Sequence, residues 1–147
     1  MIRQVGGFFD VEFTVETHVL FLRLKDREIV FVLSDHLLGE LEAAPERVRE
    51  LLQQYEDDCF EYVFLTNEAR ELAKCYIAEK VVGKTNFDDC HHIAIATINK
   101  VDVLTSWNFK HIVNLDRIRG YNGVNLKNGY SILEIRNPKD LIKYEKD

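Results

Sequence analysis

Four acidic or amide side chains are of the types that gather around a cation. Glu40 lies in LSDHLLGELEAAP (33–45), Asp88 and Asp89 open FDDCHHIAIAT (87–97), and Asn108 lies in SWNFKHI (106–112). Carboxylates drawn together repel one another unless a positive ion compensates them, and oxygen donors of this kind suit Mg²⁺ or Mn²⁺ rather than zinc. Such an ion lowers the pKa of bound water and steadies the charge that develops in phosphoryl transfer. Taken singly, each residue has a plainer use. An acid pair in the first turn of a helix complements the helix dipole, Glu40 can be a solvated helix residue, and a lone asparagine is a common cap. His92 follows Asp89 by three positions and so shares its helix face; by itself it reads as a hydrogen-bonded packing residue. His91 is expected to face elsewhere and takes no role, and Trp107 reads as a packing residue. Lys84, Lys110, Arg117, Arg119 and Lys127 are surface charges that could meet phosphates.

Positioning these groups requires an alternation of strands and helices. Thr14 to Asp26 carries a broad helical stripe of apolar residues, and the β-branched and aromatic run Ile29 to Leu33 reads as a buried strand. Ser34 or Asp35 then caps a short helix through Leu37, Leu38 and Leu41. Pro45 opens another through Val48, Leu51 and Leu52. Tyr62 to Leu65 reads as a strand, and Thr66 caps a helix carrying Ala69, Leu72, Ala73, Tyr76 and Ile77. A helix from Phe87 to Asn99 leads into a strand at Val101 to Thr105. The remainder is less regular, with a strand near Ile132 to Ile135 and a short helix after Pro138. This order predicts an α/β sandwich with a mainly parallel sheet, whose ligands sit beyond the carboxyl ends of the strands.

The 147 residues suffice for one domain, 1–147, with one core. No apolar run approaches the ~20 residues of a membrane span, and MIRQVGGFFD does not have the form of a secretory signal. Cys59, Cys75 and Cys90 form no CxxC pair, which predicts reduced thiols in a cytoplasmic protein and no thiolate zinc site. The net charge of −6 excludes a wholly basic nucleic-acid binder. It is unevenly spread: residues 100–147 carry nine Lys/Arg against six Asp/Glu, and residues 1–99 carry ten against nineteen. An acidic front and a mildly basic tail suit a chain that holds a cation and meets a polyanion elsewhere, although a chance split of solvated charges gives the same numbers.

Together LSDHLLGELEAAP (33–45), FDDCHHIAIATINKVDVLTSWNFKHIVN (87–114) and NGYSILEIRNPKDLI (128–142) resemble the PIN-domain family, in particular its VapC-like toxins. The resemblance spans nearly the whole chain, and its middle block is the most specific. It implies a PIN-like three-layer sandwich and a metal-dependent endoribonuclease, the toxin of a type II toxin–antitoxin system. Glu40 matches the family's second acid and Asp89 its third, with Asp88 beside it; Asn108 falls where many members have an Asp. The implied catalytic residues are Glu40, Asp89 and Asn108, and the implied metal ligands are Glu40, Asp88 and Asp89, for Mg²⁺ or Mn²⁺. His92 matches a helix histidine that supports the acids from behind. RNA is the implied substrate, with an antitoxin protein and a second copy of the chain as partners; the residues that would contact RNA are not indicated.

The departure from the family is at the front. Members open with a strand ending in a DTSV-like motif before residues similar to GGFFD, and that Asp is the first metal ligand. Here it would fall at about Met1, and the first, central strand would be missing from the chain; Asp10, beyond the two glycines, is a poor substitute. An upstream start or a decaying copy is favoured over a gap closed by re-paired strands or by a partner's strand. Activity is accordingly expected to be impaired. The alternative is a catalytically inactive PIN-like module that binds protein or RNA. An unrelated flavodoxin-like or response-regulator-like domain is the remaining rival.

Overall fold

The computed structural model describes residues 4–5, 19, 22–42, 46, 50, 53–55, 57–106, 112–137 and 139–140. Five strands form one sheet: β1 (Gln4–Val5), β2 (Phe31–Ser34), β3 (Phe60–Val63), β4 (Leu104–Thr105) and β5 (Ile135–Arg136). Their order is β3-β2-β1-β4-β5 and every pairing is parallel. Among the described residues the fully placed helices are α1 (Asp35–Leu41), α2 (Asn67–Ala78), α3 (Phe87–Ile98) and α4 (Leu115–Lys127). The α/β class with a parallel sheet therefore holds. The order differs from the 2-1-3-4-5 sheet of flavodoxin-like domains, which removes that rival.

The sheet corrects the expectation that the central strand is missing. Gln4 pairs with Val32 of β2 on one side and with Leu104 of β4 on the other, and Val5 pairs with Thr105. The physical reason is the one that made a gap implausible. Buried parallel strands cannot leave their N–H and C=O groups unpaired without a cost of ~1–3 kcal/mol each, so even a two-residue extended segment is held between them. Gly6, Gly7 and Asp10 lie outside the described residues.

The strands sit close to their expected places with shifted ends. β2 runs to Ser34, and β3 ends at Val63 rather than Leu65. The last two strands shrink to Leu104–Thr105 and Ile135–Arg136. Helix α4 occupies a stretch that reads as irregular. Asn114 starts it, its Oδ1 accepting the N–H groups of Asp116 and Arg117 at 3.1 and 3.2 Å. Most of the helices expected at Thr14 to Asp26, after Pro45 and after Pro138 lies outside the described residues.

The core forms where α2, α3 and α4 meet the sheet. Helix α2 buries Ala69, Leu72, Ala73 and Tyr76, one stripe at helical spacing. Helix α3 is enclosed on most sides, with Cys90 and every residue from His92 to Thr97 buried. Lys80 and Lys100 follow the ends of α2 and α3 with φ of 61° and 51°. The next residue in each case bonds back across the last turn, Val81 N to Tyr76 O at 3.0 Å and Val101 N to Ala96 O at 3.2 Å. These left-handed stops turn the chain sharply, the second one toward β4. The three thiols are free; Cys59 and Cys90 are buried and Cys75 is partly so. No helix among the described residues is long and apolar enough to cross a membrane.

Candidate functional site: a histidine and carboxylate cluster at the sheet edge

The four residues of β2, FVLS, are all buried, and the strand ends where α1 begins. Ser34 closes the strand and caps the helix, its Oγ accepting the Leu37 N–H at 3.0 Å. Asp35 Oδ1 accepts two backbone N–H groups, His36 at 2.9 Å and Leu65 at 2.8 Å. One carboxylate oxygen thus ties the start of α1 to the segment leaving β3. His36 and Glu40, four residues apart, then project from the same face of α1. Helix α3 leads into β4, so its C-terminus lies at the amino ends of the strands and its N-terminus at the carboxyl ends. The first turns of α1 and α3 consequently meet at the edge where parallel sheets place their ligands.

His92, with a side chain only 3% exposed, shares a 3.0 Å hydrogen bond between Nε2 and Glu40 Oε1. The carboxylate accepts, so Nε2 carries the proton. His36 Nε2 stands 3.4 Å from Glu40 Oε1 and 3.4 Å from Asp88 Oδ1. The His36 ring lies 4.9 Å from that of His92 and 5.0 Å from that of His91, edge to face with the latter. Phe87 closes the far side of His91 at 4.5 Å. Among the described residues, two groups have candidate ligand atoms within 4.8 Å of one another: His36, Asp88 and His91, and His36, Glu40 and His92.

Burial and crowding set the charges. Burial holds the His36 pKa below its usual 6.5, and neighbouring His92 adds to this against the pull of Glu40, Asp88 and Asp35. Burial likewise lowers His91, helped by His36. At neutral pH His36 is therefore uncharged, and its approaches to Glu40 and Asp88 are not ion pairs. Burial pushes the Glu40 carboxyl up, but the hydrogen bond from His92, helped by the charge that His92 and His36 carry when protonated at low pH, outweighs it and leaves the pKa below 4.5. With His36 and His91 uncharged, the carboxylates of Glu40 and Asp88 give this edge a setting that favours a cation.

The structure brings Glu40, Asp88 and His92 together and adds His36 and His91. Asp89 belongs to neither ligand group; its charge is felt instead at Tyr121 and Cys90, both of whose pKa values rise chiefly through burial. Asn108, Trp107 and Lys110 lie outside the described residues. His91 corrects the expectation that it faces elsewhere: α1 approaches the first turn of α3 closely enough for His36 to touch both adjacent histidines. His36 was missed altogether. The signal for it was the His-x-x-x-Glu spacing of 36 and 40, one helical turn on one face. Two of the candidate phosphate contacts serve the fold: the Arg117 guanidinium donates to Val81 O, and Lys127 pairs with Glu79 at 3.2 Å. Lys84 and Arg119 are exposed.

No protein-family model, no curated protein and no solved structure matches the chain.

Proposed function

We propose that this chain is a PIN-like, metal-dependent endoribonuclease of the VapC-like toxin kind, with impaired activity. The observation that carries the reading is the meeting of Glu40 with the start of α3, residues about fifty apart in sequence, at the carboxyl edge of a parallel sheet. The occupation of the middle of that sheet by β1 supports it as well.

The donor set fits a divalent cation. Glu40 and Asp88 supply carboxylate oxygens, and the imidazoles beside them make Mn²⁺ a better match than Mg²⁺, which keeps to oxygen. Glu40, Asp88 and Asp89 would hold the ion, and Asn108 would hydrogen-bond at the same edge. When bound, the ion supplies an acidified water and offsets charge on the phosphodiester. His92 donates to Glu40 Oε1 and so fixes the direction of that carboxylate. Impairment is proposed because Asp89 belongs to neither of the two groups whose candidate ligand atoms already lie close together among the described residues.

Labelled single-stranded RNA incubated with the protein and Mn²⁺ tests the reading. Slow, EDTA-sensitive cleavage that Glu40→Gln abolishes is the expected result. Cleavage indifferent to Glu40→Gln, or none with either metal, would refute it. That Asp89 belongs to neither ligand group favours one second reading, a PIN-like module that binds RNA or an antitoxin-like protein, or pairs with its own copy, without cutting. RNA retention without cleavage would select that reading.

A further inference from the structure

We infer that His36, Asp88 and His91 form a zinc-class transition-metal site, which shares Asp88 with the carboxylates invoked for RNA cleavage and does not use Glu40 or Asp89. Three observations carry it. The ligand atoms of the three residues lie within 4.8 Å of one another and come from two helices, α1 and α3. His36 Nε2 and both ring nitrogens of His91 are buried polar atoms that make no hydrogen bond among the described residues, and such atoms normally find a partner. The 3.4 Å separation of His36 Nε2 and Asp88 Oδ1 also has the right length. Ligands at ~2.0–2.2 Å from a tetrahedral ion lie about 3.4 Å apart, whereas a hydrogen bond would be shorter.

The chemistry of the donors selects the ion. Two imidazoles and one carboxylate are a nitrogen-rich set that suits Zn²⁺, Co²⁺ or Ni²⁺ and not Mg²⁺. Three protein ligands leave one tetrahedral position open to water. The Asp88 side chain is 77% exposed and has room to adjust toward an ion. The cysteine pattern gave no reason to expect zinc; this site needs no sulfur. Glu40 remains hydrogen-bonded to His92. The ion would bridge the first turns of α1 and α3, so binding also raises stability by mass action. The inference stands whether or not the protein cuts RNA.

The test is titration of the untagged, EDTA-treated protein with Co²⁺, read by visible absorption, followed by displacement with Zn²⁺. One equivalent should produce the intense bands of tetrahedral cobalt, and zinc should bleach them and raise the melting temperature. Asp88→Asn and His91→Ala should each weaken cobalt binding by at least about tenfold. Glu40→Gln should keep the spectrum even as it removes cleavage, so failure of either reading is separately visible. Absence of tetrahedral bands in the wild-type protein, or unchanged affinity in Asp88→Asn, would overturn the site. Asp88 is exposed, so its variant folds and decides the matter even if His91→Ala does not.

Discussion

Replacing Tyr76 with phenylalanine removes one oxygen from the place where three helices meet. Tyr76 of α2 donates its hydroxyl proton to Asn125 Oδ1 of α4, and Asn125 Nδ2 donates in turn to Thr97 Oγ1 of α3 at 3.2 Å. Thr97 Oγ1 passes its own proton to Ile93 O at 2.8 Å. Tyr76 and Asn125 are fully buried, and burial raises the Tyr76 pKa well above its ordinary value, so the hydroxyl stays a donor. The ring packs edge to face on Tyr121 at 5.1 Å, a contact that phenylalanine keeps. The loss is therefore polar: Asn125 Oδ1 is left buried and without its donor, at a cost of ~1–3 kcal/mol. For a chain of this size ~2 kcal/mol lowers the melting temperature by about 6 °C. Asn125→Leu should cost a similar amount by orphaning the hydroxyl. The double variant should be less destabilised than the two singles combined by more than about 1 kcal/mol, because no member of the pair is then left unpaired. Urea unfolding followed by circular dichroism measures all four corners, with an unchanged slope required for the comparison. Additive losses would refute the argument that this bond, rather than side-chain volume, ties α2 to α4.

Two glycines of α4 should respond oppositely to alanine. At Gly123 a Cβ would meet nothing within 4 Å, so Gly123→Ala should stabilise by ~0.5–1 kcal/mol through helix propensity. At Gly120 it would stand 2.7 Å from Val81 Cγ1, so Gly120→Ala should destabilise, and adding Val81→Ala should restore much of the loss; thermal melts of the three variants check both signs. Acidification should weaken the fold first through the histidines. The folded pKa values of His36 and His91 lie below 6.5, so the unfolded chain takes up protons before the folded one does. Their contribution is complete above pH 6.5 and is lost as pH falls through the folded values. Glu40 acts in the same sense lower down, its contribution being present above 4.5 and lost below. A urea midpoint that stays level from about pH 7.5 to about pH 5.5 would contradict this, and His36→Gln should flatten the slope.

How far the sequence reveals this molecule depends on the range of the interactions. The caps at Ser34 and Thr66 were legible because a hydroxyl and the N–H three residues on settle them locally. Helix α3 was legible because its apolar residues are nearly continuous. Helix α4 was not: it contains Gly120, Gly123, Asn122 and Asn125, which disfavour a helix on their own. It is held by tertiary bonds such as Asn122 to the backbone of Leu133 on both N–H and C=O. The end of β3 was misplaced because this edge strand is only half covered; Tyr62 and Phe64 are 50% and 67% exposed, so apolarity did not mark where pairing stops. Two residues at β1 carry no periodicity at all. Within the site, acids beside a helix start were readable from types and spacing. The meeting of His36 with His91 and His92 was not, because it depends on how closely two helices approach across more than fifty residues of chain.

The double duty of Asp35 has a mechanical result. Its single oxygen holds the backbone of His36 and of Leu65 at once, so the exit of β3 and the imidazole-bearing turn are pinned to the same atom. Phe64, immediately before Leu65, presents two thirds of its surface to the outside. An exposed aromatic thus stands one residue from a hydrogen bond whose acceptor also anchors the backbone of His36, so the outer rim of the sheet and the pocket share a single tether.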